Sequence, residues 1–156
     1  MGSLKGKNAF VSGTSQGIGA AIAETLIKMG CNVCLHYFSS DKEPRRLLKI
    51  AESRQLKAIC VQGDLTQAGD VAKCVKEGVD FLNSFDILVN NSGSLVRRSS
   101  IEDITSDYWK TLIDVNLTTM MLLTKEILPF LNQKEGASIV NVASLAGRMG
   151  GHNGSL

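Results

Sequence analysis

Residues 12–19 read Ser-Gly-Thr-Ser-Gln-Gly-Ile-Gly and follow directly on the apolar run Ala9-Phe10-Val11. Glycines at 13, 17 and 19, set between a strand and a helix, suit the binding of a dinucleotide pyrophosphate. Gly13 permits a sharp turn. Gly17 removes the Cβ that would hold the backbone away from a phosphate. Gly19 lets the helix pack close to the strand. Ser15, Gln16 and Ile18 complete the loop and the first helical residues, where free N–H groups and the positive helix end favour an anion.

In dinucleotide folds, an acidic residue at the end of the second strand holds the ribose hydroxyls. Here that end reads His36-Tyr37-Phe38-Ser39-Ser40, with no carboxylate before Asp41. A 2′-phosphate near Phe38 and Ser39 would meet hydroxyls and backbone donors rather than a repelling charge. This favours NADP(H) over NAD(H).

The elements that must position these residues alternate strand and helix. Strands are expected at Asn8–Ser12, Asn32–Tyr37, Ala58–Gln62, Asp86–Asn90 and Ser138–Ala143. Helices are expected at Gly17–Met29, Lys42–Arg54 and Gln67–Leu82, with one long or two consecutive helices over Ser106–Asn132, N-capped by Thr105 or Ser106. In the first helix, Ile18, Ala21, Ile22, Leu26 and Met29 recur on one face. Leu47, Leu48 and Ala51 should face inward in the second helix, and Val71, Val75 and Val79 in the third. Pro129 should kink or shorten the end of its helix. The strand cores Ala9-Phe10-Val11, Ile87-Leu88-Val89 and Ile139-Val140 are continuously apolar, as parallel strands covered on both faces are. The expected fold is α/β: a doubly wound Rossmann fold with a parallel sheet of about five strands in the order 3-2-1-4-5. Residues 1–156 form a single dinucleotide-binding domain, with no internal repeat or linker.

The composition narrows the function further. A net charge of +2 on 156 residues, with no basic stripe interleaved with aromatics, argues against a nucleic-acid partner. No apolar run reaches the roughly 18 residues needed to span a bilayer, and Met1-Gly-Ser-Leu-Lys-Gly has no secretory apolar core. A cytoplasmic protein without a membrane partner is expected. Cys31-Asn-Val-Cys34 is formally a CxxC, but residues three apart on a strand point to opposite faces. Cys31, Cys34, Cys60 and Cys74 therefore read as reduced thiols, and no metal site is expected.

Three further segments fall along the carboxyl edge of such a sheet: Gly63-Asp64-Leu65, Asn90-Asn91-Ser92-Gly93, and Ser144 after Ile139-Val-Asn-Val-Ala. With Gly13, Gly17, Ile18, Gly19 and Asn116, they resemble the short-chain dehydrogenase/reductase family over essentially the whole chain. Asn90-Asn-Ser-Gly departs slightly from that family's usual Asn-Asn-Ala-Gly. The Gly-rich turn and the His-Tyr-Phe-Ser-Ser segment are similar to those of 3-oxoacyl-carrier-protein reductases. The resemblance implies that Asp64 recognises the adenine amino group with Leu65 packed beside it. Asn91 and Gly93 would line the path of the nicotinamide ribose, with Ser92 between them also counted as cofactor-binding. As catalytic residues, Asn116 would anchor a proton-relay water through a helix irregularity, and Ser144 would hydrogen-bond a substrate carbonyl or alcohol. The implied reaction interconverts a ketone and a secondary alcohol on a small-molecule substrate, and the implied full-length form is a homo-oligomer.

A serine hydroxyl orients an oxygen but is a poor general acid at neutral pH. The family's acid is a tyrosine about thirteen residues after the serine, followed four residues later by a lysine. Counted from Ser144, that tyrosine would fall at position 157. The chain is therefore expected to be the N-terminal portion of a longer reductase domain, binding cofactor weakly and inactive by itself. The alternative is a non-catalytic NAD(P)-binding or interaction module. A flavodoxin-like protein fits poorly, because its phosphate loop lacks the three spaced glycines.

Overall fold

The computed structural model describes residues 4–131 and 136–149. Five strands, β1 (Asn8–Val11), β2 (Asn32–Tyr37), β3 (Ala58–Gln62), β4 (Ile87–Asn90) and β5 (Ser138–Asn141), form one sheet in the order β3-β2-β1-β4-β5. Every pair is parallel; Phe10 of β1 lies opposite Cys34 of β2 and Leu88 of β4. This is the expected doubly wound α/β topology. The order reverses between β1 and its neighbours β2 and β4, which opens a crevice at the carboxyl ends of the strands.

The connecting helices are α1 (Gly17–Lys28), α2 (Lys42–Ser53), α3 (Ala68–Leu82), α4 (Ser106–Ile113), α5 (Thr119–Leu131) and the short α6 (Ala146–Met149). Alternation along β1 divides the core between the two faces of the sheet. Ala9 and Val11 join Ala20, Ala23 and Ile27 of α1 and Leu47 and Ala51 of α2. Phe10 joins Val71, Cys74 and Val75 of α3 and Leu123, Ile127 and Leu131 of α5. Cys31 and Cys34 lie in opposite clusters, as strand geometry requires. All four cysteines are free.

The inward face of α1 differs from the expected one. Gly19, Ala20, Ala23 and Ile27 are buried, whereas Ile18 is 64% exposed and Ala21 is also exposed. Ile22 and Leu26 are partly buried at the margin of that face. Close packing onto a sheet selects the smallest side chains for the contact line. Glycine and alanine therefore face the strands, and the larger aliphatics flank them.

Ser106–Leu131 is two helices rather than one. Thr105 caps α4, its hydroxyl accepting from the Tyr108 N–H. Residues Asp114–Thr118 form a single wide π-helical turn before α5 begins. Pro129 is carried in the last turn of α5, and Asn132 lies outside the described residues. β5 is the sheet edge beside β4, and there Ile139 and Val140 are 41% and 48% exposed. The strand cores of β1 and β4, by contrast, are covered on both faces apart from the half-buried Ile87. No helix among the described residues is long and apolar enough to cross a membrane.

Candidate functional site

The crevice at the carboxyl edge is a cleft of about 810 Å³. Its floor is the β1–α1 turn, where Gly13, Ser15, Gln16, Gly17, Ile18 and Gly19 line it. The turn needs its glycines for two separate reasons. Gly13 and Gly17 have φ of +70° and +54°, a left-handed backbone that side chains disfavour. Gly19 has no room: a Cβ there would lie 2.2 Å from the Gly13 carbonyl oxygen and 2.4 Å from Asn91 Nδ2. The close approach is thus to the turn itself and to the β4 loop, rather than to the strand alone. Gln16, at the N-cap of α1, makes no side-chain cap, and the first turn carries no acidic residue. The positive end of α1 is therefore presented to the cleft.

One side of the cleft is built from the ends of β2 and β3. Phe38 and Ser39 line it beyond β2, and Asp64 and Leu65 beyond β3. The Phe38 carbonyl accepts from Gln62 Nε2 at 3.0 Å, and Ser15 Oγ donates to the Ser40 carbonyl at 2.9 Å. Asp41 follows as the first carboxylate, and its side chain is ion-paired with Arg45. Asp64 Oδ1 accepts from both the N–H and the hydroxyl of Thr66, which fixes the loop entering α3.

The opposite side is the end of β4, with Asn91, Ser92 and Gly93. Ser12, 1% exposed, holds this loop to the glycine turn: its Oγ accepts from the N–H groups of Asn91 and Ser92, each at 2.9 Å. Asn91 Nδ2 returns the tie, donating to the carbonyls of Ser12 and Gly13. All the residues assigned to a dinucleotide from sequence therefore converge on one cleft.

The two residues read as catalytic do not line that cleft. Asn116 lies within the π-helical turn, so the expected helix irregularity is present. Its amide is bonded to Ser94 and to the Leu112 carbonyl. Ser144 is exposed, and its Oγ accepts from the Ala146 N–H at 3.2 Å. Neither Tyr37 nor Tyr108 lines the cleft. The Tyr108 hydroxyl lies against the carbonyls of Leu95 and Arg97, with the Arg97 guanidinium 4.3 Å from its ring centroid.

Sequence reasoning missed two positioning residues, Ser12 and His36. A serine closing a buried strand is the only local signal for the first. His36 is 2% exposed and lines the cleft. Its contacts reach residues 23 and 27 positions away, which no local pattern announces.

The short chain dehydrogenase family model matches residues 7–156. The chain belongs to that family. It is 37% identical over 93% of its length to an uncharacterized oxidoreductase of Methylorubrum extorquens, of which it covers 57%. It is 32% identical over 96% of its length to a 3-oxoacyl-[acyl-carrier-protein] reductase of Synechocystis, of which it covers 60%. A Burkholderia cenocepacia short chain dehydrogenase in complex with NADP superposes with a TM-score of 0.89 at 31% identity, over 97% of this chain and 60% of that one. An NADH-dependent reductase complexed with NAD superposes with the same TM-score at 27% identity, over 97% and 65%. The chain thus spans about three fifths of the length of these relatives.

Proposed function

We propose that this chain is the dinucleotide-binding portion of an oxidoreductase that interconverts a ketone and a secondary alcohol, using NADP(H) in preference to NAD(H). The observation that carries this reading is the uncapped, acid-free N-terminus of α1 facing the cleft beside Gly17. No side-chain atom stands within 4 Å of the place a Gly17 Cβ would occupy, so that backbone is open to a diphosphate. The nicotinamide ring supplies the hydride when bound.

The residues of this chain bind and orient. Gly13 to Gly19, with Ser15 and Gln16, take the diphosphate. Phe38 and Ser39 border the adenosine ribose, and Asp64 with Leu65 borders the adenine. Asn91, Ser92 and Gly93 guide the nicotinamide ribose. The preference for NADP(H) rests on the β2 end, where hydroxyls precede the first carboxylate and Arg45 offsets the Asp41 charge. Ser144 would orient the substrate oxygen and Asn116 would serve proton relay, both in the full-length protein. Leu117 of the π-helical turn is 52% exposed, and Met121 and Leu128 are 50% and 40% exposed on α5, which also buries Leu123 and Ile127. This second apolar face supports assembly with another copy. A small-molecule substrate and a cytoplasmic setting complete the reading.

The rival, a non-catalytic NAD(P)-binding module, draws on the position of Ser144, which lies outside the cleft with its Oγ accepting the Ala146 N–H. Calorimetric titration with NADPH and NADH, paired with a ketone-reduction assay, tests both. Binding of both nucleotides, tighter for NADPH, is expected. Failure to bind either one removes the proposal. Tight binding by a full-length protein that turns over no carbonyl substrate favours the module.

A further inference from the structure

His36 ends the buried part of β2, between the glycine turn and the end of β3. Its ring Nδ1 accepts the Gly13 N–H at 3.2 Å, and its Nε2 lies 3.0 Å from the Gly63 carbonyl oxygen. Nδ1 must therefore be bare, and Nε2 must carry the proton it donates. Only the neutral ring with its proton on Nε2 meets both demands. The backbone of the same residue adds to the tie: the Thr14 N–H and hydroxyl both donate to the His36 carbonyl, at 2.8 and 2.9 Å. Phe10 stacks on the ring at 6.4 Å between centroids, with the two ring planes 20° apart.

Resting on the dinucleotide reading, we propose that neutral His36 is a positioning residue, a strut that sets the separation between the diphosphate turn at Gly13 and the adenine-side loop at Gly63–Asp64. The two loops belong to different strands, β1 and β3, which are not neighbours in the sheet. A dinucleotide must touch both at once. Protonation of Nδ1 would set N–H against the Gly13 N–H and push the turn out of place, so the strut fails on the acid side.

The groups around the ring agree with a neutral state. Burial lowers the basicity of the ring, opposed by the Gly63 carbonyl and by the Asp64 carboxylate just beyond it. Asp70 and Cys74 of α3 stand behind Gly63, and Cys34 lies two residues back on the same strand. The Asp70 carboxylate is engaged by the Asp64 N–H at 2.7 Å, and burial keeps both thiols protonated.

The test is NADH binding between pH 7.5 and 5.0. NADH is the probe because it lacks the 2′-phosphate, whose own ionisation falls near pH 6. The wild type should weaken on the order of tenfold as the pH falls, the effect of one lost hydrogen bond. His36→Asn keeps an acceptor for the Gly13 N–H and does not titrate. It should bind NADH within about threefold of wild type at pH 7.5 and lose most of the acid slope. His36→Leu should be about tenfold weaker already at pH 7.5. Equal pH slopes in wild type and His36→Asn, over a range in which NMR shows the His36 ring to titrate, would overturn the strut.

Nitrogen NMR of the wild type separates this from the dinucleotide reading. The sequence holds two histidines, His36 and His152, so the signals are readily assigned. A bare Nδ1 on His36 and a Gly13 amide that shifts with its titration are expected. A ring protonated on Nδ1 at pH 7.5 overturns the proposal. If the wild type binds no NADH at any pH, the dinucleotide reading fails, and the NMR result alone decides whether His36 ties the two loops.

Discussion

Asn116 and Ser94 are joined in both directions: Asn116 Oδ1 accepts the Ser94 N–H at 3.0 Å, and its Nδ2 donates to the Ser94 carbonyl at 2.8 Å. A side-chain amide thus pairs with a backbone peptide as a second strand would. The π-helical turn is what presents the amide to the loop, and Nδ2 also donates to the Leu112 carbonyl within the same helical run. Removing it should free the loop after β4. Asn116→Ala is expected to cost about 1–2 kcal/mol in urea unfolding, since three backbone groups, the Ser94 N–H and the Ser94 and Leu112 carbonyls, lose partners at a partly exposed site. Asn116→Asp keeps the acceptor but sets a carboxylate oxygen against the Ser94 and Leu112 carbonyls, so it should cost at least as much. Proteolytic cleavage within residues 94–100 should accelerate in both variants. An unchanged cleavage rate would show that the loop is held by other contacts, such as those of Tyr108.

The glycine turn separates stability from binding. Gly19→Ala forces a methyl against backbone at 2.2 Å, where nothing flexible can yield. A loss of roughly 1–3 kcal/mol is expected, with dinucleotide binding lost as well. Gly17→Ala meets open space, so its cost is that of a left-handed φ, about 1 kcal/mol. Its methyl would stand where the diphosphate is proposed to lie, and binding should fall much more than stability. Thermal melts beside calorimetric titration check the contrast. Parallel losses in both variants would remove the distinction.

Much of this was legible in sequence, for identifiable reasons. The strand order follows from short apolar runs, helical crossovers and one glycine turn, all of them local patterns. The sheet-facing side of α1 was not legible, because Gly19, Ala20 and Ala23 carry little apolar signal although they make the closest contacts. Ile18 and Ala21 matched the period and yet face away. The cleft residues were legible because they cluster at strand ends. Ser12 and His36 were not, because each acts through bonds to loops that follow other strands. The bond from the Ala146 N–H to Ser144 Oγ likewise depends on the chain immediately after Ser144.

Asp86 anchors the start of the sheet. It is 2% exposed; its Oδ2 accepts the Asn8 N–H at 2.9 Å, and its Oδ1 pairs with Lys7 Nζ at 3.0 Å. Asp86→Ala leaves the Asn8 N–H buried without its partner, and about 1–3 kcal/mol should be lost. Lys7→Ala should cost well under that, because the Lys7 side chain is 42% exposed and water replaces its partner. Urea midpoints of the two variants provide the comparison. Equal losses would place the energy in the ion pair rather than in the backbone bond.

The thiols give the folded state an alkaline limit. Burial pushes Cys31 up to about 12 and Cys74 up to about 11, from an ordinary value of 9.0. Cys34 and Cys60 are also raised, again chiefly by burial. In the unfolded chain these thiols ionise near 9.0, whereas the folded chain retains their protons. Their contribution to stability is therefore complete below pH 9 and is lost as the pH rises from 9 toward 11–12. Urea midpoints should fall across pH 9 to 10.5, and Cys31→Ala should show a shallower fall than the wild type. The same burial predicts slow modification by a thiol reagent at pH 8, with half-buried Cys60 reacting first and all four thiols reacting at once in urea. Rapid labelling of Cys31 together with Cys34 in the native protein would instead mark the pair as an accessible dithiol, contrary to their placement on opposite faces of the sheet.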